Sequence, residues 1–269
     1  MKYRVYTQTE KSTARNHVVN EDRYLFTEYI FNEDKPIHLL IVADGMGGLE
    51  DGEQASMNAV RGFSKAFYEK VVDVYMCGHM ESFSLSYFAD KVEWAVREAM
   101  HSANAEVLKN SDVLKPSGAT ISVVCIIDRC AVCANIGDSP IYFYRSKKRK
   151  LKLVSKLQTQ AELDVEAGVY ERYSSSYYAK DNILYHSLGQ YSKMDEEDIY
   201  TYQIGGLQKG DIFLVGSDGA FGRIQEYELL ELLEDCSEDD EEFILEELFD
   251  MARMDKNDDQ TAIFYVVGD

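Results

Sequence analysis

Four aspartates stand where an apolar run of the chain begins or gives out. Asp44 closes Leu39-Leu40-Ile41-Val42-Ala43 and is followed by Gly45-Met46-Gly47-Gly48. Asp138 follows Ala134-Asn135-Ile136-Gly137, and Asp218 follows Ile212-Phe213-Leu214-Val215-Gly216-Ser217 and precedes Gly219. Asp258 sits just ahead of the last apolar run, in Asn257-Asp258-Asp259-Gln260-Thr261, and an acidic pair, Glu21-Asp22, opens an early one. An Asp-Gly after a strand is an ordinary turn, and each block alone reads that way. Their conjunction points further. If the strand ends lie together, the carboxylates converge, and such a cluster is costly unless a cation neutralises it. Oxygen donors without His or Cys suit hard cations, Mg²⁺ or Mn²⁺. The glycines after Asp44 let backbone carbonyls approach an ion closely.

The elements that must position these residues follow from periodicity. Residues 3–9 alternate, 23–29 read as a second strand, and 37–43 form a nearly continuous apolar run that calls for burial on both faces. Two amphipathic helices follow. Residues 52–73 carry Ala55, Ala59, Phe63, Phe67 and Val71 at four-residue steps, and 84–110 place Leu85, Phe88, Val92, Val96, Ala99 and Ala103 on one face. Strands return at 119–127, 131–136 and 141–145. A short helix is expected at 156–167, ending at Gly168, and 171–181 shows no period. Strands at 200–204 and 211–216, acidic helices at 226–234 and 241–254, and a closing strand at 261–267 complete the chain. Strands come in runs with the long helices paired between them. That order predicts α+β with two mainly antiparallel sheets face to face and helices outside.

The chain has 269 residues, with 28 Lys+Arg against 48 Asp+Glu and a formal charge of −20. That balance excludes a nucleic-acid backbone binder. The short basic run 147–150 reads as a solvated turn between strands. No apolar run reaches the roughly 18 residues of a membrane span, and residues 1–13 have no signal-peptide core. A cytoplasmic setting is therefore expected, with one domain over 1–269. Five cysteines give no disulfide framework. Cys130 and Cys133 lack a second Cys/His pair for zinc and read as buried thiols. His38, His79, His101 and His186 show no ligand spacing, and the single Trp94 reads as a packing residue.

Asn20-Glu21-Asp22, Asp44-Gly45-Met46-Gly47-Gly48, Ser117-Gly118-Ala119-Thr120, Gly137-Asp138-Ser139, Ser217-Asp218-Gly219 and Asp258-Asp259-Gln260-Thr261 occur in that order. The series resembles the motifs of the metal-dependent protein phosphatases, type 2C (PPM), in their bacterial form, from about residue 5 to 267. The resemblance implies a four-layer α-β-β-α sandwich and Mn²⁺- or Mg²⁺-dependent hydrolysis of phosphoserine and phosphothreonine in proteins. It also implies roles. Asp44 would bridge two ions. Gly45 would offer its carbonyl to one, with Glu21 and Asp22 holding that ion's waters. Asp218 and Asp258 would hold the other. Asp138, with Asp218, would form a third, weaker site. A hydroxide shared by the ions would attack phosphorus in line, without a phosphoenzyme. Phosphorylated proteins, a Ser/Thr kinase and its targets are the partners implied, for a monomeric enzyme.

The chain departs from the pattern in places. Where relatives carry a phosphate-gripping Arg, four residues before the Glu of the Glu-Asp pair, this chain has His17. A protonated His17 could serve, or Arg15 two residues away on the same strand parity. Met46 is common in bacterial members. Pro140, Leu157-Gln158 and Gly222 replace an Arg, an Asp-His pair and an Asp that relatives often carry. Two alternatives stay open on these grounds: a pseudophosphatase or regulatory binding module that has lost its phosphate grip, and a two-metal hydrolase of a small phosphoester.

Overall fold

The computed structural model describes residues 2–15, 17–30, 36–46, 51–77, 85–111, 116–236, 240–254 and 257–268, with the side chains of 75–77 and 85–88 set aside. Gly47, Gly48, His79 and the side chains of Leu85 and Phe88 thus lie outside it. The apolar run before Asp44 forms β3 (Ile37–Ala43), and every residue in it is buried. A strand can hide both faces only if each is covered. Leu39 and Ile41 pack toward Phe63 and Phe67 of α1 (Asp51–Cys77) and Val92 and Val96 of α2 (Leu85–Asn110). Leu40 and Val42 face the opposite way, against Phe213, Val215, Ile263 and Tyr265 of a second sheet.

The first sheet runs β10 (Tyr200–Gly205), β7 (Cys130–Ile136), β6 (Ile121–Ile127), β3, β2 (Arg23–Tyr29). The second runs β1 (Tyr3–Glu10), β12 (Gln260–Val267), β11 (Ile212–Gly216), β8 (Ile141–Arg145), β9 (Lys150–Leu153). All pairings are antiparallel. A two-residue ladder joins β4 (Gly45–Met46) to β5 (Gly118–Ala119). The outer face of the second sheet is covered by α5 (Asp218–Phe221), α6 (Glu226–Asp235) and α7 (Ile244–Arg253) through Ala220, Leu229, Leu248 and Phe249. Each large side chain so buried contributes about 1.5–3 kcal/mol. The layers are helix, sheet, sheet, helix, as expected.

Several local expectations need correction. The stretch 119–127 is two strands, β5 and β6, parted at Thr120, whose side chain has other work. The basic run 147–150 does turn, at Arg149 (φ +47°), but Lys150 already belongs to β9, which the sequence reading left out. The helix expected at 156–167 is only α3 (Gln160–Glu166), because Thr159 caps it by accepting the Glu162 N–H at 3.3 Å. The segment without a period contains α4 (Ser175–Tyr178). Residues 241–243 form a 3₁₀ turn before α7. Trp94 is half-exposed rather than packed inside, with the Lys70 ammonium 5.0 Å from its ring. Cys130 and Cys133 are buried free thiols. His38 is buried between the sheets, 2.5 Å from the Tyr265 hydroxyl and 3.0 Å from Glu28. Among the described residues no helix is long and apolar enough to cross a membrane.

Candidate active site

Antiparallel register gathers the acidic residues. β2 starts opposite the end of β3, with Arg23 against Ala43. β7 ends opposite the start of β6, with Ile136 against Ile121. β11 ends opposite the start of β12, with Gly216 against Ala262. Asp22, Asp44, Asp138, Asp218 and Asp258 flank these positions and leave the two sheets at one end. A hydrogen bond ties the sheets together there, from Ser217 Oγ to Asp22 Oδ2 at 2.6 Å.

Backbone and hydroxyl groups brace several of these acidic segments. The Asp44 N–H donates to Thr120 Oγ1 at 3.1 Å, and its carbonyl accepts the Thr120 N–H at 2.8 Å. Thr120 Oγ1 lies 2.6 Å from Ser139 Oγ, so the Ser-Gly-Ala-Thr and Gly-Asp-Ser blocks clamp Asp44 from one side. Ahead of Asp138, the Gly137 N–H donates to Gln158 Oε1 at 2.7 Å, and Gln158 Nε2 donates to the Asp198 carbonyl at 2.8 Å. Glycine matters where backbones touch. A Cβ on Gly45 would stand 2.0 Å from the Gly52 carbonyl oxygen and 2.8 Å from that of Glu21. One on Gly219 would stand 2.0 Å from the Asp259 carbonyl oxygen. The Asp-Gly pairs therefore seat neighbouring acidic segments against one another, which a turn alone would not require.

The electrostatics match this convergence. Burial, then the charges of Asp22, Asp218, Asp138 and Asp258, hold the Asp44 pKa well above its ordinary value. Burial pushes Asp22 up to about 8, with hydrogen bonds from Ser217 and Thr261 pulling down and Asp259 and Asp218 pushing up. Burial likewise raises Glu21, against His17 and with Asp259 and Asp258. Asp22 Oδ1 is buried with no hydrogen-bond partner among the described residues. An orphaned carboxylate oxygen within an all-oxygen acidic cluster fits a hard divalent cation. Among the described residues, however, no three acidic, His or Cys side chains stand together as a finished chelate.

Two residues that sequence reasoning passed over organise the site. Asp259 is buried, and its carboxylate accepts the Ser12 N–H at 2.7 Å and the Glu21 N–H at 2.6 Å. His17 Nε2 is 2.8 Å from the same carboxylate. The other is Gln158. The only signal for Asp259 was the doubled Asp-Asp, and for Gln158 the departure from an Asp-His pair. His17 therefore reaches the site's margin with one ring nitrogen already engaged. The strand-parity argument for Arg15 fails, because β1 stops at Glu10 and Arg15 is exposed in a loop. Gly222 has a physical reason: at φ +52°, a Cβ there would stand 2.8 Å from the Ala252 carbonyl oxygen, so an Asp would not fit.

Residues 9–253 match the family model described as "Protein phosphatase 2C". The chain is 26% identical over 229 residues to the serine/threonine phosphatase stp of Listeria monocytogenes, covering 84% of this chain and 81% of that one. Its fold resembles the Streptococcus agalactiae serine/threonine phosphatase, with a TM-score of 0.74 and 22% identity over 99% of this chain and 100% of that one. It also resembles the catalytic domain of the phosphatase PstP in complex with two manganese ions, with a TM-score of 0.69 and 22% identity over 99% of each chain. The chain belongs to the protein phosphatase 2C family and is a protein phosphatase of that type.

Proposed function

We propose that the chain hydrolyses phosphoserine and phosphothreonine in proteins with two divalent cations, Mn²⁺ or Mg²⁺, seated among its acidic strand ends. The observation that carries this is Asp22, whose buried Oδ1 has no hydrogen-bond partner among the described residues and whose pKa burial pushes up to about 8 beside other acids. In this reading Asp44, the Gly45 carbonyl, Glu21, Asp22, Asp218 and Asp258 would hold the two ions, Glu21 and Asp22 through bound water, and Asp138 with Asp218 would hold a weaker third. When bound, such ions supply an activated water as nucleophile and positive charge for the phosphoryl oxygens.

The chain's own residues hold and shield. Thr120 and Ser139 fix the Asp44 backbone, Ser217 fixes Asp22, and Asp259 fixes the Glu21 backbone. His17 helps hold Asp259 through Nε2, which leaves Nδ1 for a substrate oxygen. Direct attack by water suits a site whose chemistry is carried by carboxylates. Burial pushes the Cys125 and Cys133 thiols up and away from nucleophilic use. Buried free thiols also suit a reducing compartment such as the cytoplasm. Phosphoproteins made by a Ser/Thr kinase are the partners, and the enzyme acts as a monomer. The test is phosphate release from a phosphothreonine peptide with Mn²⁺, with Mg²⁺ and in excess chelator. Turnover with either metal, lost in chelator and in folded Asp44→Asn and Asp218→Asn, is expected. A folded parent that releases no phosphate under any of these conditions would favour a binding module instead.

A further inference from the structure

A groove opens beside Asp138 and Asp218, between α4 and the turn that follows α5. It measures about 650 Å³ with its open mouth included. Tyr142, Tyr177 and Phe221 supply much of its wall, and Tyr177 is pinned there by donating its hydroxyl to Glu162 Oε1 at 2.6 Å. Two guanidinium groups line it. Arg172 is already neutralised by Glu162 and lies 3.8 Å from Glu226. Arg223 differs. It is exposed, its Cζ sits 4.4 Å from the Tyr178 ring centroid, and among the described residues it has no carboxylate partner. Asp181, also on the wall, has a contact of its own.

Stacking on an aromatic face immobilises a guanidinium while leaving its edge N–H donors free for an anion. In a chain with a formal charge of −20, an uncompensated cation next to the acidic strand ends is a local attractor for anionic substrate groups. Reach can be bounded. The helical residues of α5 advance about 1.5 Å each and the two further links to Arg223 at most about 3.6 Å each. Arg223 Cα is then within roughly 12 Å of Asp218 Cα, a span an extended peptide covers in about four residues.

We infer that this groove is a subsite for the substrate segment flanking the phosphoresidue, and that Arg223, held on Tyr178, receives an anionic side chain there. The ligand chemistry is an oxyanion, either a carboxylate of Asp or Glu or a second phosphate. The inference rests on the phosphatase reading of the neighbouring site, and its test keeps the two apart.

Matched phosphothreonine peptides would carry, within four positions on either side, neutral residues, one Glu, or one phosphoserine. Each is assayed with Mn²⁺ against the parent, Arg223→Gln and Arg223→Lys. Binding of the same labelled peptides in excess chelator, read by fluorescence anisotropy, gives an arm independent of turnover. An exposed ion pair is worth little, so the parent should favour the Glu peptide over the neutral one by roughly three- to fivefold in kcat/KM at low salt. The doubly phosphorylated peptide should gain more. Arg223→Gln should bring both ratios toward one, and Arg223→Lys should retain part of the preference. Equal ratios in parent and Arg223→Gln, or no preference in the parent, would overturn the subsite while leaving the phosphatase reading intact. An Arg223-dependent preference in binding without any turnover would sustain the subsite and sink the phosphatase reading. Neither preference nor turnover would remove both.

Discussion

Asp259 offers a sharp perturbation because its partners are few and countable. Its buried carboxylate accepts the backbone N–H groups of Ser12 at 2.7 Å and Glu21 at 2.6 Å and meets His17 Nε2 at 2.8 Å. These contacts tie the loop after β1 and the entry to β2 onto the start of β12. Asp259→Ala leaves two N–H donors without an acceptor, at about 1–3 kcal/mol each. The contact to His17, whose side chain is 24% exposed, adds little. The expected loss is about 2–6 kcal/mol. At roughly 2–4 °C per kcal/mol for a domain near this size, the melting temperature should fall by about 4–24 °C. Asp259→Asn keeps one acceptor oxygen but turns an amide NH₂ toward the other donor, so about half that loss is expected. Thermal melts in excess chelator separate this from any effect of bound metal. Mn²⁺ affinity should weaken in the same order, because Glu21 and Asp22 lose their anchor. An Asp259→Ala protein melting within 2 °C of the parent would refute the positioning role.

Gly219→Ala should cost about 2 kcal/mol or more by urea unfolding and depress turnover, since its Cβ would meet the Asp259 carbonyl oxygen at 2.0 Å and Asp258 Cβ at 2.9 Å. A variant as stable and active as the parent would show that the two segments can part freely. The raised acids also set a pH dependence. With Asp22 up at about 8 and Asp44 well above its ordinary value, the fold holds protons that the unfolded chain releases near pH 4. This stabilisation is complete below about pH 4 and fades as pH rises through about 8. Metal-free protein should therefore lose more stability between pH 5 and 8 than Asp22→Asn or Asp44→Asn does, and millimolar Mn²⁺ should restore the parent at pH 8. Parallel pH profiles for parent and variants would contradict the shifts.

Much of the fold was legible because its signals are local. The run at 37–43 has no polar break, which only a strand between two covered faces requires, and β3 has that place. The four-residue steps of α1 likewise put Phe63 and Phe67 inside. β9 was missed because Lys150-Leu151-Lys152-Leu153 alternates for only four residues and grows out of a basic turn. The Glu162, Arg172 and Tyr177 cluster was hidden because its members meet through tertiary contacts with no sequence period. Of the site, the Asp-Gly blocks were visible as types and order. What could not be seen is non-local. Asp259 and Glu21 are 238 positions apart, and Asp259 meets Ser12 and His17 across 247 and 242. His17 shows the same limit, since a count along the motif sets it against the substrate phosphate, and only the fold shows that its Nε2 also meets Asp259.

The most direct test of a cation-holding acidic centre is calorimetric titration of metal-stripped protein with Mn²⁺ at pH 7, in buffers of differing ionisation enthalpy. Asp22, pushed up to about 8, carries a proton at that pH, and burial with its acidic neighbours raises Asp44 in the same direction. Binding should therefore release roughly one to two protons per protein, and Asp44→Asn should lose most of both the heat and the proton release. Saturable Mn²⁺ binding with no proton release, or binding unchanged in Asp44→Asn, would contradict it.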